Sequence, residues 1–261
     1  QASVDEIVSR LVAAITPASR LVAVTWVHSS TGVRLPIAEI AAALADVNAT
    51  RDEADRALLS VDGVHGFGAV DVTAADLGCD FLISGTHKWL FGPRGTGLVW
   101  GKRSAWARLD PVIPPFSSEG FNAWTLGDEP ARTVPGPLFT PGGYHSFEHR
   151  WALGQAFDFH DAIGKSAVAE RIRVQATALK AGLADIAGVK VITPQDPELS
   201  AGIVCLTVDG QEPPDTLGGL RDQDILASLT PYAISYVRLG PSIVTTPDEV
   251  TQVISTIANL S

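Results

Sequence analysis

Apolar residues recur at helical spacing over residues 4–15 (Val4, Ile7, Val8, Leu11, Val12, Ile15), which predicts a helix that stops before Pro17. Residues 21–27 are a short apolar run and predict a buried strand. His28-Ser29-Ser30-Thr31-Gly32 then forms a polar turn, and Ile37, Ile40, Ala41 and Leu44 give residues 36–47 an apolar helical stripe. Strand, turn and helix make a first βα unit. Residues 57–61, 80–83 and 97–100 predict three further strands, the first of them ending on Asp62 and the second leading into a turn that holds Lys88. Over residues 111–143 periodicity is lost and Pro and Gly accumulate, so a long loop is expected there, wrapped over a pocket or a partner subunit. Helices follow at 147–163 and 167–186, strands at 188–192 and 202–208, a short helix at 216–222, and strands at 225–229 and 234–238. The closing helix is expected at 247–260, with Thr246 as N-cap and Asp248 and Glu249 in its first turn.

Strands alternating with helices, with polar residues at the strand ends, predict an α/β fold with a mostly parallel sheet whose functional groups gather at the strands' C-terminal ends. Residues 1–165 are expected to form the large domain. Residues 166–261 supply a connecting helix and a smaller α+β domain.

Composition narrows the partners. The 261 residues are 46% hydrophobic with a formal net charge of −10, so no basic stripe is available to neutralise phosphates, and neither nucleic acid nor an anionic membrane is an expected partner. No apolar stretch reaches the roughly 18 residues of a membrane helix, and a small-molecule substrate and a cytoplasmic setting are expected. The only cysteines, Cys79 and Cys205, stand in apolar runs, which argues against a disulfide framework or a zinc site. The absence of methionine reads as a cut or processed chain.

Chemistry concentrates around Ser84-Gly85-Thr86-His87-Lys88-Trp89 and the following Gly92-Pro93-Arg94-Gly95-Thr96-Gly97. A lysine held in such a turn is either an ordinary surface residue or a covalent site, since a deprotonated amine can form an imine with an aldehyde. Asp62 ends one strand and Lys88 follows a neighbouring one, so both can face one crevice. An acid there could keep a pyridine nitrogen protonated. His65 is placed to hydrogen-bond ring substituents, and Ser84, Thr86 and His87 offer donors suited to a phosphate.

Val61-Asp62-Gly63-Val64-His65, then Ser84 to Trp89, then Gly92 to Gly97 occur in an order that resembles the class V aminotransferase family of pyridoxal phosphate enzymes, nearest in wording to its isopenicillin N epimerase-like branch. The resemblance implies a fold type I architecture: a mostly parallel central sheet with helices on both faces and a smaller C-terminal α+β domain. It also implies pyridoxal 5'-phosphate as cofactor, an amino acid as substrate, a homodimer, and no metal. Lys88 matches the lysine that binds the cofactor covalently and moves the proton of the α-carbon. Asp62 matches the partner of the pyridine nitrogen, His65 the group near the ring hydroxyl, His87 and Ser84 phosphate ligands, and Ser29 a cofactor contact in the turn after the first strand. Thr140 lies where the family places a phosphate ligand from a second subunit. Arg238, in Val237-Arg238-Leu239-Gly240-Pro241-Ser242, matches the arginine that grips the substrate carboxylate, a task suited to a bidentate guanidinium. Tyr232 is a further candidate against the substrate. The family's fold also includes a glycine-rich phosphate loop and a residue stacked on the ring, both expected upstream of Gln1. The implied activity is epimerisation or transamination at the α-carbon; a C–S lyase of the same family and a non-catalytic partner subunit are the alternatives.

Overall fold

The computed structural model describes residues 2–110, 116–127, 136, 139 and 146–261. Helix α1 (Val4–Ala13) starts at Ser3, whose hydroxyl accepts from the Glu6 amide at 3.2 Å, and its first-turn acids Asp5 and Glu6 complement the positive end of the helix. Strand β1 (Leu21–Thr25), helix α2 (Ile37–Ala49), β2 (Leu58–Asp62), β3 (Phe81–Gly85) and β4 (Gly97–Gly101) follow. The sheet order is β1-β2-β3-β4, with β1, β2 and β3 parallel and β4 antiparallel to β3. That direction matters for the site. Thr25, Asp62 and Gly85 all end strands at one edge, so the turns carrying His28, His65 and Lys88 emerge side by side.

One face of this sheet is a core. Leu59, Val61 and Leu82 meet Ile37, Ile40 and Leu44 of α2, while Val8 and Leu11 of α1 pack against the same cluster. Burial of that stripe stabilises α2 far more than intrinsic propensity, since the helix has no side-chain cap. On the opposite face Leu21, Ile83 and Val99 are exposed among the described residues. Trp106, at the end of the short helix α3 (Arg103–Trp106), packs edge-on against Phe81 beside them.

Residues 111–143 are not loop throughout. Helix α4 spans Ser118–Leu126, with the Ser117 hydroxyl accepting from the Gly120 amide at 3.1 Å and Gly127 in a left-handed cap at φ 74°. Both termination signals are in the sequence, but the surrounding prolines and glycines mask them when the window is read as a whole. Helices α5 (Phe147–Ile163) and α6 (Lys165–Ala184) match the expectation closely.

Helix α6 joins two cores. Val168 and Ile172 belong to the first, and Ala176, Leu179 and Leu183 pack with Leu206, Val237 and Ile257 in the second. The second sheet is wholly antiparallel in the order β5-β6-β8-β7, built from β5 (Val189–Val191), β6 (Val204–Val208), β7 (Ser228–Leu229) and β8 (Val237–Leu239). Helix α7 (Pro213–Arg221) begins with prolines at its first positions, where the missing amide has no helical partner to lose. Helix α8 (Pro247–Leu260) carries the expected capping box, with Glu249 N donating to Thr246 Oγ1 at 3.2 Å and Thr246 N to Glu249 Oε2 at 2.6 Å.

The strands expected at 225–229 and 234–238 are shorter than their apolar patterns suggest. Thr230 N donates to the Tyr236 carbonyl and Tyr236 N to the Thr230 hydroxyl, so the residues between them close as a turn. Among the described residues no helix is long and apolar enough to cross a membrane.

Candidate active site

The turn that carries Lys88 is pinned from both sides. Gly92 N donates to the Thr86 carbonyl at 2.8 Å and Thr86 N to the Thr96 carbonyl at 3.1 Å, while the hydroxyls of Thr86 and Thr96 lie 2.5 Å apart and buried. A Cβ on Gly92 would stand 2.8 Å from the Thr86 carbonyl oxygen, so only glycine permits this closure. Phe91, between them, is held at φ 60°, a conformation that bulky L residues rarely adopt. Trp89 is buried beside the turn and anchors it to the first core. The lysine side chain projects outward, with His87 and Phe91 exposed on either side of it.

Three of the expected residues converge on one cavity of about 450 Å³: His65, Lys88 and Arg238. Lys88 Nζ lies 3.0 Å from His65 Nε2. Burial first, and then the charges of Lys88 and Arg238, push His65 down from 6.5 to about 4, so at neutral pH the imidazole is uncharged and accepts the lysine's proton in this contact. Its proton then resides on Nδ1, a buried atom with no hydrogen-bond partner among the described residues. The Lys88 amine is also lowered, by burial and then by Arg238, with Asp62 acting in the opposite direction. A lysine whose charged form is disfavoured has more of its amine free near neutral pH, and only the free amine can act as nucleophile or base.

Arg238 comes from β8 and is oriented by two acceptors. Its Nε donates to Ser228 Oγ at 3.1 Å, because β7 pairs Ser228 directly with Arg238, and its Nη1 donates to the Ser29 carbonyl at 3.2 Å. The turn after β1 therefore helps to hold an arginine of the second sheet. Gly32 makes that docking possible: its φ is 69°, and a Cβ would stand 2.6 Å from the Ile203 carbonyl oxygen.

The remaining expected residues sit differently. Asp62 is exposed at the end of β2 rather than buried, its Oδ1 accepts from Val64 N at 3.0 Å, and its charge is felt at Lys88. Ser84 does not line the Lys88 cavity; its hydroxyl donates to the Gly85 carbonyl at 3.0 Å, and the residue borders a cavity on the other face of the sheet. His87 is exposed, with its ring against Gly85. The Ser29 hydroxyl lies 2.8 Å from the Tyr232 hydroxyl, and the Tyr232 ring stacks on His28 at 5.4 Å. Tyr232 is thus turned toward the β1 turn and is not among the residues lining the cavity. Thr140 lies outside the described residues. Ser228 escaped the sequence reading, since only the β7–β8 register reveals it. Trp89 was within the motif but gave no sign that it would wall the cavity.

A family model described as aminotransferase class-V matches residues 3–230. Isopenicillin N epimerase of Streptomyces clavuligerus is 30% identical over 207 residues, covering 76% of this chain and 49% of the relative. The enzyme of the same name from Amycolatopsis lactamdurans is 30% identical over 224 residues, covering 84% and 53%. A cysteine desulfurase of Yersinia pestis is 27% identical, covering 83% and 49%. The chain spans about half the length of these curated relatives. Among solved structures, the complex of the cystine C-S lyase C-DES with cysteine persulfide superposes with a TM-score of 0.81 at 21% identity, over 97% of this chain and 64% of that one. The apo cysteine desulfurase of Thermococcus onnurineus gives 0.79 at 18%, over 99% and 62%. These likenesses bear out the α/β fold.

Proposed function

Because the chain belongs to the aminotransferase class-V family, we propose that it holds pyridoxal 5'-phosphate on Lys88 and acts at the α-carbon of an amino acid or an amino-acid-bearing metabolite, by epimerisation or transamination. The observation that carries this reading is the convergence of Lys88, His65 and Arg238 on one cavity, with the lysine amine 3.0 Å from a neutral imidazole. When bound, the cofactor supplies an electron sink that acidifies the bonds of the substrate's α-carbon. The chain's residues fit it. His65 offers a buried, unpartnered Nδ1–H, Asp62 presents a carboxylate at the strand edge, and His87 stands exposed on the turn beside Lys88. Arg238 keeps donors beyond those used on Ser228 and Ser29, and a substrate carboxylate is the group they suit.

Lys88 is the base that takes and returns the α-proton at Nζ, and His65 Nε2 steadies the lysine between those states. A desulfurase reading, which needs a mobile thiolate, has no support in these residues: Cys79 and Cys205 are both buried, and burial pushes the Cys205 thiol up to about 12. A C–S lyase that needs no cysteine is the second reading, favoured by the likeness to C-DES. A homodimer is the expected assembly, to be checked by sedimentation.

Borohydride reduction of the full-length protein with pyridoxal 5'-phosphate, followed by peptide mass mapping, tests the reading. The expected result is a reduced adduct on the peptide containing Lys88, absent in Lys88→Ala. An unmodified Lys88 peptide would sink it. Exchange of the α-proton with solvent deuterium without keto-acid release selects epimerisation over transamination, and sulfide release from cystine selects the lyase.

A further inference from the structure

The cavity at Lys88 does not end at Arg238. A second cavity of about 410 Å³ adjoins it, and the two share Leu226, Leu239 and Gly240 as lining. Leu226 is 95% exposed, an isobutyl group standing in solvent on the partition between them. A lone exposed leucine is unremarkable. This one lines both cavities, and each cavity holds a further exposed apolar residue: Phe91 on the side of Lys88 and Val244 on the far side. The floor of the far cavity is apolar too, formed by Leu179, Val250 and Val253.

The backbone points to the same place. Among the described residues only two non-glycine residues have a positive φ, Phe91 and Asp224, both at 60°, and each borders one of the two cavities. Such conformations cluster at ligand clamps, where the surroundings over-determine them. The polar lining of the far cavity is selective. It contains Asp224 and Glu249 but no Lys, Arg or His, and the Glu249 carboxylate already accepts two hydrogen bonds from Thr246. Arg171 reaches this lining at Thr245, but its Nη2 is already spent on the Thr245 carbonyl at 2.8 Å, so among the described lining residues an anionic group meets only carboxylates as charged groups.

Resting on the reading of the Lys88 cavity as an amino-acid site, we infer that the far cavity is a side-chain subsite: the substrate is an α-amino acid with a long, uncharged, apolar side chain that crosses Leu226 while its carboxylate is held by Arg238. Covering Leu226 and filling the space above Val250 and Val253 removes apolar surface from water, so affinity is expected to rise by about fourfold for each added methylene that is fully buried. A short amino acid leaves the second cavity to solvent.

Calorimetric titration of the full-length protein with alanine, norleucine and 2-aminodecanoic acid reads this directly, without turnover. The dissociation constant is expected to fall along that series. In Val244→Trp and Leu226→Trp, both at exposed positions, the preference for 2-aminodecanoic acid over alanine is expected to shrink by about tenfold or more. Equal affinity for all three amino acids, an undiminished preference in both variants, or tighter binding of 2-aminosuberic acid than of 2-aminooctanoic acid would overturn the inference. The borohydride adduct on Lys88 is scored separately on the same protein. Loss of the adduct with the chain-length preference intact would defeat the cofactor assignment and leave the subsite standing, and the reverse result would do the opposite.

Discussion

Lys88 and Arg238 face one cavity but are held in contrasting ways. The hydrogen bonds that shape the lysine's turn run between Thr86, Gly92, Pro93 and Thr96, so its closure is set within one short stretch of chain, which Trp89 ties to the first core. The arginine depends on Ser228 across a strand pair and on the carbonyl of Ser29, 209 residues away in sequence, so its aim is a property of the tertiary structure. In the proposed roles, a covalent anchor gains from local rigidity, because the amine must stay put when other parts move. An arginine held across two sheets instead depends on their relative position and on the docking of the β1 turn.

The largest effect that would separate the two is expected from Arg238→Ala. Removing two charge-assisted hydrogen bonds to a carboxylate should weaken amino-acid binding by about a hundredfold or more, with the Lys88 adduct still forming. Titration with norleucine and borohydride trapping of the same preparation measure both. Equal losses would contradict the division of labour between anchor and clamp.

A second, smaller effect concerns pH. The folded-state pKa of His65 lies near 4, below its usual 6.5, so between those values the unfolded chain binds more protons than the folded one, and stability rises with pH. The contribution is fully present above the ordinary histidine range and is lost as pH falls toward 4. From pH 7 to pH 5 the cost is about 2 kcal/mol. Denaturant midpoints at the two pH values, compared in wild type and His65→Gln, isolate it, since the amide neither titrates nor loses its capacity to accept from Lys88. A wild type that responds to pH no more than the variant would show that His65 is not held neutral.

The contrast between local and distant support also explains how much could be read from the chain alone. The anchor was legible: Asp62, His65 and Lys88 stand at the ends of parallel strands whose apolar runs and glycine-rich turns are compact in sequence, and the structure places them at one sheet edge. The clamp was legible only as a residue. Nothing near Arg238 in sequence indicates that Ser228 faces it, because that depends on register, and a carbonyl such as that of Ser29 carries no side-chain signature at all. The place of Tyr232 was equally hidden. Hydrogen bonds between Thr230 and Tyr236 close a turn that sends Tyr232 to His28 and Ser29, and no local pattern announces that contact. Ser84 shows a different limit. A hydroxyl close to Lys88 in sequence can lie outside the cavity that the lysine lines, here donating to the adjacent Gly85 carbonyl.

Ser228→Ala tests the nearer support of the arginine. The Nε–Oγ bond joins a charged donor to a neutral acceptor at a half-buried position, and its loss should raise the dissociation constant for norleucine by about threefold to tenfold. Ser228→Thr, which keeps the hydroxyl, should recover most of it. The Lys88 adduct should form equally in all three proteins. A similar loss in the threonine variant would mean that the position matters for packing and not for the hydrogen bond.

The smallest expected effect belongs to Tyr232→Phe, which probes the more distant support. The hydroxyl of Tyr232 meets Ser29 Oγ, and Ser29 in turn presents its carbonyl to Arg238 Nη1, so the tyrosine is joined to the arginine through an intermediate residue. The phenylalanine ring can still stack on His28, so the turn stays docked and only one neutral hydrogen bond at a half-exposed site is removed. A twofold to threefold weakening of norleucine binding is expected, in line with about 0.5 kcal/mol for such a bond. In Arg238→Ala the same substitution should add nothing further, because the residue it positions is gone. A double-mutant cycle on norleucine affinity decides between the two roles open to this residue: non-additive losses identify Tyr232 as a positioning residue for Arg238, and fully additive losses would mean that the tyrosine meets the substrate by a path of its own.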